Sequence, residues 1–154
     1  MIPDLVEIGA SWKVLPPGIH DATLEEVGQR FAGDERRRAL FDGLVDACRA
    51  LAVAGCRVAF LDGSYVTEKP RPGDYDVCWD PTNVDLEKLD PVLLDFSANR
   101  QNQKLKFGGE FFPSSARADG SRFFAEYFRR DKETGREKGI IRLFLGEGME
   151  RVGR

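Results

Sequence analysis

Apolar positions change their period several times along the chain, and each change predicts an element. Across residues 34–53, Phe41, Leu44, Val45, Cys48, Leu51 and Ala52 recur at the spacing of one helical face. Asp34 supplies a cap for that helix, and Gly55 ends it in the left-handed position that glycine adopts without strain. Ahead of it, Thr23-Leu24-Glu25-Glu26 has the form of a capping box and opens a shorter helix through about Phe31. Arg36, Arg37 and Arg38 fall in the first turns of the longer helix and read as its solvated face.

Beyond Gly55 the pattern shortens. Residues 56–61 and 74–79 predict two strands by length and composition, with Pro70, Pro72 and Gly73 marking the connection between them. Residues 83–95 suggest a short helix and 99–103 a polar loop. Residues 104–112 alternate and predict a third strand, broken by Gly108-Gly109. Residues 121–130 read as a helix with Phe123, Phe124, Tyr127 and Phe128 on its buried side, residues 131–138 as a charged turn, and 139–145 as a last strand. Pro3, Pro16, Pro17 and Gly18 make residues 1–20 an irregular arm packed on the rest. The alternation predicts one domain over residues 1–154, of α/β (α+β) class, with a small mixed β-sheet flanked by helices.

Composition narrows this picture. A chain of 154 residues with 42% hydrophobic side chains suffices for one core. The 23 basic and 26 acidic residues leave a net charge of −3, which predicts no bulk attraction to nucleic acid or to an anionic membrane. No segment approaches the roughly 18 apolar residues of a membrane helix, and the start Met-Ile-Pro-Asp lacks the flanks of a signal peptide, so a cytoplasmic protein with no membrane partner is expected. Cys48, Cys56 and Cys78 show no Cys-x-x-Cys spacing and read as core thiols. His20, the one histidine, reads as structural or solvated.

The chemistry concentrates at Asp74 and Asp76. On a strand, residues i and i+2 share a face, so the two carboxylates stand side by side while Tyr75 and Val77 point away. Like charges that close repel and raise each other's pKa, which a strand gains nothing from. A hard divalent cation between them reverses the sign, and oxygen donors with few nitrogens or sulfurs select Mg²⁺ or Mn²⁺. Upstream, Gly63 allows close backbone approach and Ser64 offers a hydroxyl and an N–H to phosphate oxygens. If residues 65–73 loop back, a phosphate cradle faces a metal site, as a nucleoside triphosphate requires.

Leu61-Asp62-Gly63-Ser64, nine residues, then Asp74-Tyr75-Asp76-Val77 resembles the signature of the DNA polymerase β-like nucleotidyltransferase superfamily. The longer string, with PPGIHDATLEEV upstream and KFGGEFFP and EKGIIRLF downstream, is similar to short prokaryotic nucleotidyltransferase-like proteins of toxin–antitoxin type. The resemblance implies a nucleotidyltransferase-like fold, an NTP substrate, and Mg²⁺ or Mn²⁺ held by Asp74, Asp76 and a third carboxylate from a later strand. Glu110 is the candidate for that third position, where aspartate is commoner, and Asp80 and Asp119 are its substitutes. Asp62 stands where the family more often has an apolar residue, and reads as a turn residue or as a support of the Ser64 loop.

Lys69 and Lys138 are candidates for phosphate contact, with Arg129, Arg130, Lys132 and Arg136 near them in sequence. Tyr65, Tyr75 and Trp79 are candidates to stack on a base, with Trp79 favoured as core. The expected activity is Mg²⁺-dependent transfer of NMP from an NTP to a hydroxyl. The resemblance implies a protein side chain, a tRNA 3′ end or an antibiotic as acceptor, and a macromolecular acceptor is preferred because no separate acceptor domain is evident. The alternatives are a catalytically inactive binding or regulatory protein on the same fold, such as an antitoxin subunit, and a hydrolase using the same acidic cluster.

Overall fold

The structure, a computed structural model, describes residues 1–114, 130–146 and 149. Among the described residues five strands form one mixed sheet: β1 (Gly18–Ala22), β2 (Val58–Asp62), β3 (Tyr75–Trp79), β4 (Gly109–Pro113) and β5 (Gly139–Phe144), in the order β1-β5-β2-β3-β4. β2 runs antiparallel to both β5 and β3, while β1 pairs with β5 and β4 with β3 in parallel. The class is therefore mixed α+β, as the alternation predicted. No helix among the described residues is long and apolar enough to cross a membrane.

Helices α1 (Leu24–Phe31) and α2 (Glu35–Val53) begin where their caps dictate. Thr23 and Glu26 close a reciprocal capping box, and the Asp34 side chain accepts from the Arg37 N–H. Their apolar stripes pack on one face of the sheet: Val27, Phe31, Leu44, Cys48 and Leu51 meet Ala59, Leu61, Tyr75, Val77, Phe111, Ile141 and Leu143 in a single core. Each buried Leu, Ile or Phe there contributes on the order of 1.5–3 kcal/mol. Alternation turns the intervening residues to the opposite face, where Cys78 and Ile140 are buried beside Ile19, Phe60 and Phe112.

Four expectations change. The arm over residues 1–20 is not irregular throughout: Gly18 begins β1, and Val6 and Val14 bridge to make a small hairpin ahead of it. Ile2 and Leu15 enter the core, so the arm does pack. Residues 83–95 form turns and a short 3₁₀ segment at Pro91–Leu94 in place of a helix. The cause is a run of aspartates: Asp80, Asp85, Asp90 and Asp95 each accept the N–H two residues on, from Thr82, Glu87, Val92 and Ser97. That local bond competes with the helical ladder.

The polar stretch at 99–103 is not a loop, and residues 104–107 are not strand. Both belong to α3 (Ser97–Phe107), which starts with Ala98, Asn99 and Arg100 in left-handed conformation at φ 49°, 55° and 61°. Such residues cost about 1–2 kcal/mol each. Gly108, at φ 88°, ends the helix by donating to the Lys104 carbonyl, and β4 starts at once. α3 reads as polar because only Gln103 and Phe107, one turn apart, are buried. The buried Gln103 amide accepts from the Phe111 N–H at 2.8 Å and donates to the Phe111 carbonyl at 3.3 Å, covering one rung of the edge strand. Of the helix expected over 121–130, residues 121–129 lie outside the described residues, as does Asp119, and Arg130 forms a bridge with Glu137.

A candidate nucleotide site on the sheet

β2 runs one residue further than its apolar pattern suggests, so Asp62 is its last member. Asp62 pairs with Asp76 on β3, and Asp76 pairs with Glu110 on β4. Residues in register on neighbouring strands share a face. Three carboxylates thus form a row across three strands, with Asp74 two residues before Asp76 on the same side. Phe111, the neighbour of Glu110, points the other way and is fully buried.

The chain leaves β2 through Gly63, at φ 95°, and enters a short 3₁₀ turn at Ser64–Val66. A Cβ on Gly63 would lie 3.0 Å from Asp76 Oδ2 and 3.2 Å from Asp76 N, so both conformation and close approach demand glycine. Thr67 Oγ1 donates to the Ser64 carbonyl at 2.6 Å. The returning loop is fastened from α2. The buried Arg37 guanidinium donates to the carbonyls of Tyr65 (2.6 Å), Thr67 (2.9 Å) and Lys69 (2.8 Å), as well as to Phe31. Arg36 bonds the carbonyls of Pro72 and Gly73. The expectation of a merely solvated arginine run is corrected for these two residues, which fix the loop joining Ser64 to Asp74. The signal lay in the helical period, since Arg37 shares the stripe of Phe41, Leu44 and Cys48.

Gly63, Ser64, Lys69, Asp74, Asp76, Glu110 and Lys138 all line one cavity of about 370 Å³, together with Asp62, Trp12 and the cations Arg130 and Lys132. The residues expected to bind metal or phosphate therefore lie at one place, while the candidates for base stacking do not. Their partners differ from expectation. Lys138 Nζ lies 2.7 Å from Asp62 Oδ1, and both side chains are almost wholly buried. Arg100 Nε lies 2.9 Å and Lys104 Nζ 3.3 Å from Glu110 Oε1. Asp80 is a turn residue that lines no part of this cavity. Tyr65, Tyr75 and Trp79 are core side chains without the exposure that stacking on a base requires. His20 is structural, its Nε2 lying 2.7 Å from the Pro16 carbonyl oxygen.

Charge in the row is uneven. Burial pushes the Asp76 pKa well above the usual carboxylate range, and the charges of Asp62 and Asp74 and a hydrogen bond with Glu110 push it further. Asp76 keeps some solvent contact through the cavity although protein surrounds it on most sides. Asp74 is raised by burial and by Glu110, against the pull of Lys104, Lys132 and Lys69. Asp62 is raised by burial, against the pull of Lys138. Burial also acts upward on Glu110, but hydrogen bonds from Arg100 and Asp76 outweigh it and hold Glu110 below its ordinary value. The two shifts run in opposite directions, so the surroundings favour a proton at Asp76 and oppose one at Glu110.

The family model that matches this chain runs over residues 8–144, from the N-terminal hairpin to the end of β5. The chain belongs to DUF6932, a family of unknown function. No curated protein and no solved structure matches it. Every described residue that lines the cavity, from Trp12 to Lys138, falls within the DUF6932 span.

In kind, the donors of this DUF6932 chain fit a hard divalent cation, because Asp74 and Asp76 are crowded carboxylates whose ionisation is opposed by their surroundings. In arrangement they are not yet a ligand set: among the described residues no three His, Cys, Asp or Glu side chains are grouped to hold a metal. The reason is visible in the partners, since Glu110 is turned to Arg100 and Lys104, and Asp62 to Lys138.

Proposed function

We propose that this chain is a minimal Mg²⁺- or Mn²⁺-dependent nucleotidyltransferase that moves an NMP unit from an NTP to a hydroxyl of a protein or tRNA acceptor. The observation that carries the reading is the meeting of the Gly63-Ser64 turn with the Asp74, Asp76 and Glu110 carboxylates in one cavity rimmed by lysines. In the reaction, the acceptor hydroxyl oxygen bonds to the α-phosphorus, the bond from that phosphorus to the β-phosphate oxygen breaks, and pyrophosphate leaves. The Ser64 hydroxyl and N–H would hold phosphate oxygens, and Lys69 would pair with the leaving group. The acceptor proton would pass to a carboxylate oxygen of Glu110. Asp74, Asp76 and Glu110 would hold the metal, which when bound neutralises charge on the phosphates. The toxin–antitoxin setting comes from the sequence resemblance alone.

A second reading is a nucleotidyltransferase-fold binding or regulatory protein such as an antitoxin subunit. It is favoured by the commitment of Glu110 to two cations and by the lack of a grouped ligand set among the described residues. Mass spectrometry of lysate proteins and tRNA, after incubation with the protein, Mg²⁺ or Mn²⁺ and each NTP, separates the two. Transfer predicts an added NMP that disappears with Asp76→Asn. A folded parent that binds nucleotide and modifies nothing supports the second reading.

A further inference from the structure

We propose that Trp12 is the base-binding residue of the cavity, its indole forming the surface on which the base of a nucleoside triphosphate stacks. The inference rests on the nucleotide reading above and extends it to a residue outside the sequence signature. Trp12 is the one aromatic side chain among the described residues that line the cavity. It is also 37% exposed, whereas the other tryptophan, Trp79, is 1% exposed and sits in the core. An indole left half in water gains little for folding.

The backbone on both sides of Trp12 is pinned. Ser11 donates its N–H and its hydroxyl to the two carboxylate oxygens of Glu133, each at 2.9 Å. The Lys13 carbonyl accepts from the Glu68 N–H at 3.2 Å. Val6 and Val14 close the hairpin behind it with bonds of 2.7 and 3.0 Å. Trp12 is thereby tied to the two walls of the cavity, the charged turn that carries Lys132 and Lys138 and the loop that carries Ser64 and Lys69. Cations that attract phosphates and an aromatic plane beside them are the two halves of nucleotide recognition. A preorganised aromatic surface loses little entropy on binding. Because every base has a π face, this surface accepts all four NTPs.

The test reads the stack separately from the phosphate site. Intrinsic fluorescence of the parent is followed while each NTP, with Mg²⁺, is added, and binding to the parent, Trp12→Ala and Trp12→Phe is measured by calorimetry. Inorganic tripolyphosphate with Mg²⁺ serves as the probe without a base. Expected are quenching of the parent by NTPs, NTP binding weakened about tenfold or more in Trp12→Ala and largely kept in Trp12→Phe, and unchanged tripolyphosphate binding in both variants. Equal NTP affinity in parent and Trp12→Ala would overturn the stack and leave the nucleotide reading standing. So would NTP binding to the parent without quenching, a readout that holds even if Trp12→Ala does not fold. Weakening of NTP and tripolyphosphate by the same factor would make Trp12 a structural support of the hairpin. A parent that binds neither probe would overturn both proposals.

Discussion

Strand β3 presents two sides that meet opposite conditions with the same backbone. Tyr75, Val77 and Trp79 turn to the helices and are buried, and the Tyr75 hydroxyl donates to the Phe107 carbonyl at 2.9 Å. Asp74 and Asp76 turn to the cavity, where the nearest bonded cations, Lys138, Arg100 and Lys104, hold the ends of the carboxylate row at Asp62 and Glu110. On the first side, packing and one hydrogen bond satisfy what the strand carries. On the second, folding leaves repulsion in the middle of the row, which only a proton or a cation relieves. The difference teaches that the core supplies stability while the cavity face spends some of it.

That contrast can be broken by mutation. Phe111→Ala, on the core side of β4, should cost about 3–5 kcal/mol in denaturant unfolding, and a loss below about 1 kcal/mol would show that the core side is not the stabilising one. Lys138→Met should cost about 3 kcal/mol by leaving Asp62 buried without its partner. Adding Asp62→Asn should restore much of that loss, and failure to do so would deny that the pair matters as a pair. Gly63→Ala should cost about 1–2 kcal/mol, since a left-handed residue there also crowds Asp76.

The smallest effect has the opposite sign. Asp76 binds its proton more tightly folded than unfolded, so its contribution to stability is fully present below the unfolded value of about 3.9 and is lost as pH rises through the folded value. Asparagine never ionises. Melting temperatures of parent and Asp76→Asn should therefore agree in acid and diverge toward neutrality, with the variant higher. A variant that melts lower at neutral pH would show Asp76 to be a structural group. Mn²⁺ with NTP should raise the parent by mass action, about 2.7 kcal/mol at a hundredfold excess over the dissociation constant, and the variant far less.

Much of this was legible in sequence because the physics was local. Thr23 and Asp34 announce their helices by side-chain chemistry within one turn, and Asp74 and Asp76 announce a shared face through strand period alone. What escaped depended on distant partners. Arg37 looks solvated in sequence, because the carbonyls that bury it come from a loop about 30 residues away. Asp62 looks like a turn residue until Lys138, 76 positions later, is found beside it. α3 hid because a helix that buries only Gln103 and Phe107 has almost no apolar stripe to read. Trp12 gave no periodic signal at all, since its place at the cavity follows from bonds made by its neighbours.

The Gln103 amide has a consequence for association. Among the described residues β4 is an edge of the sheet, and edges invite a strand from another molecule. A side chain that offers one acceptor and one donor to Phe111 imitates a single residue of such a strand, supplied from within. Any peptide extending the sheet at β4 would first have to evict that amide and leave a buried polar group unpaired. The rung at Phe111 thus opposes strand addition next to the charged row, two residues before Pro113, which has no N–H to offer another strand.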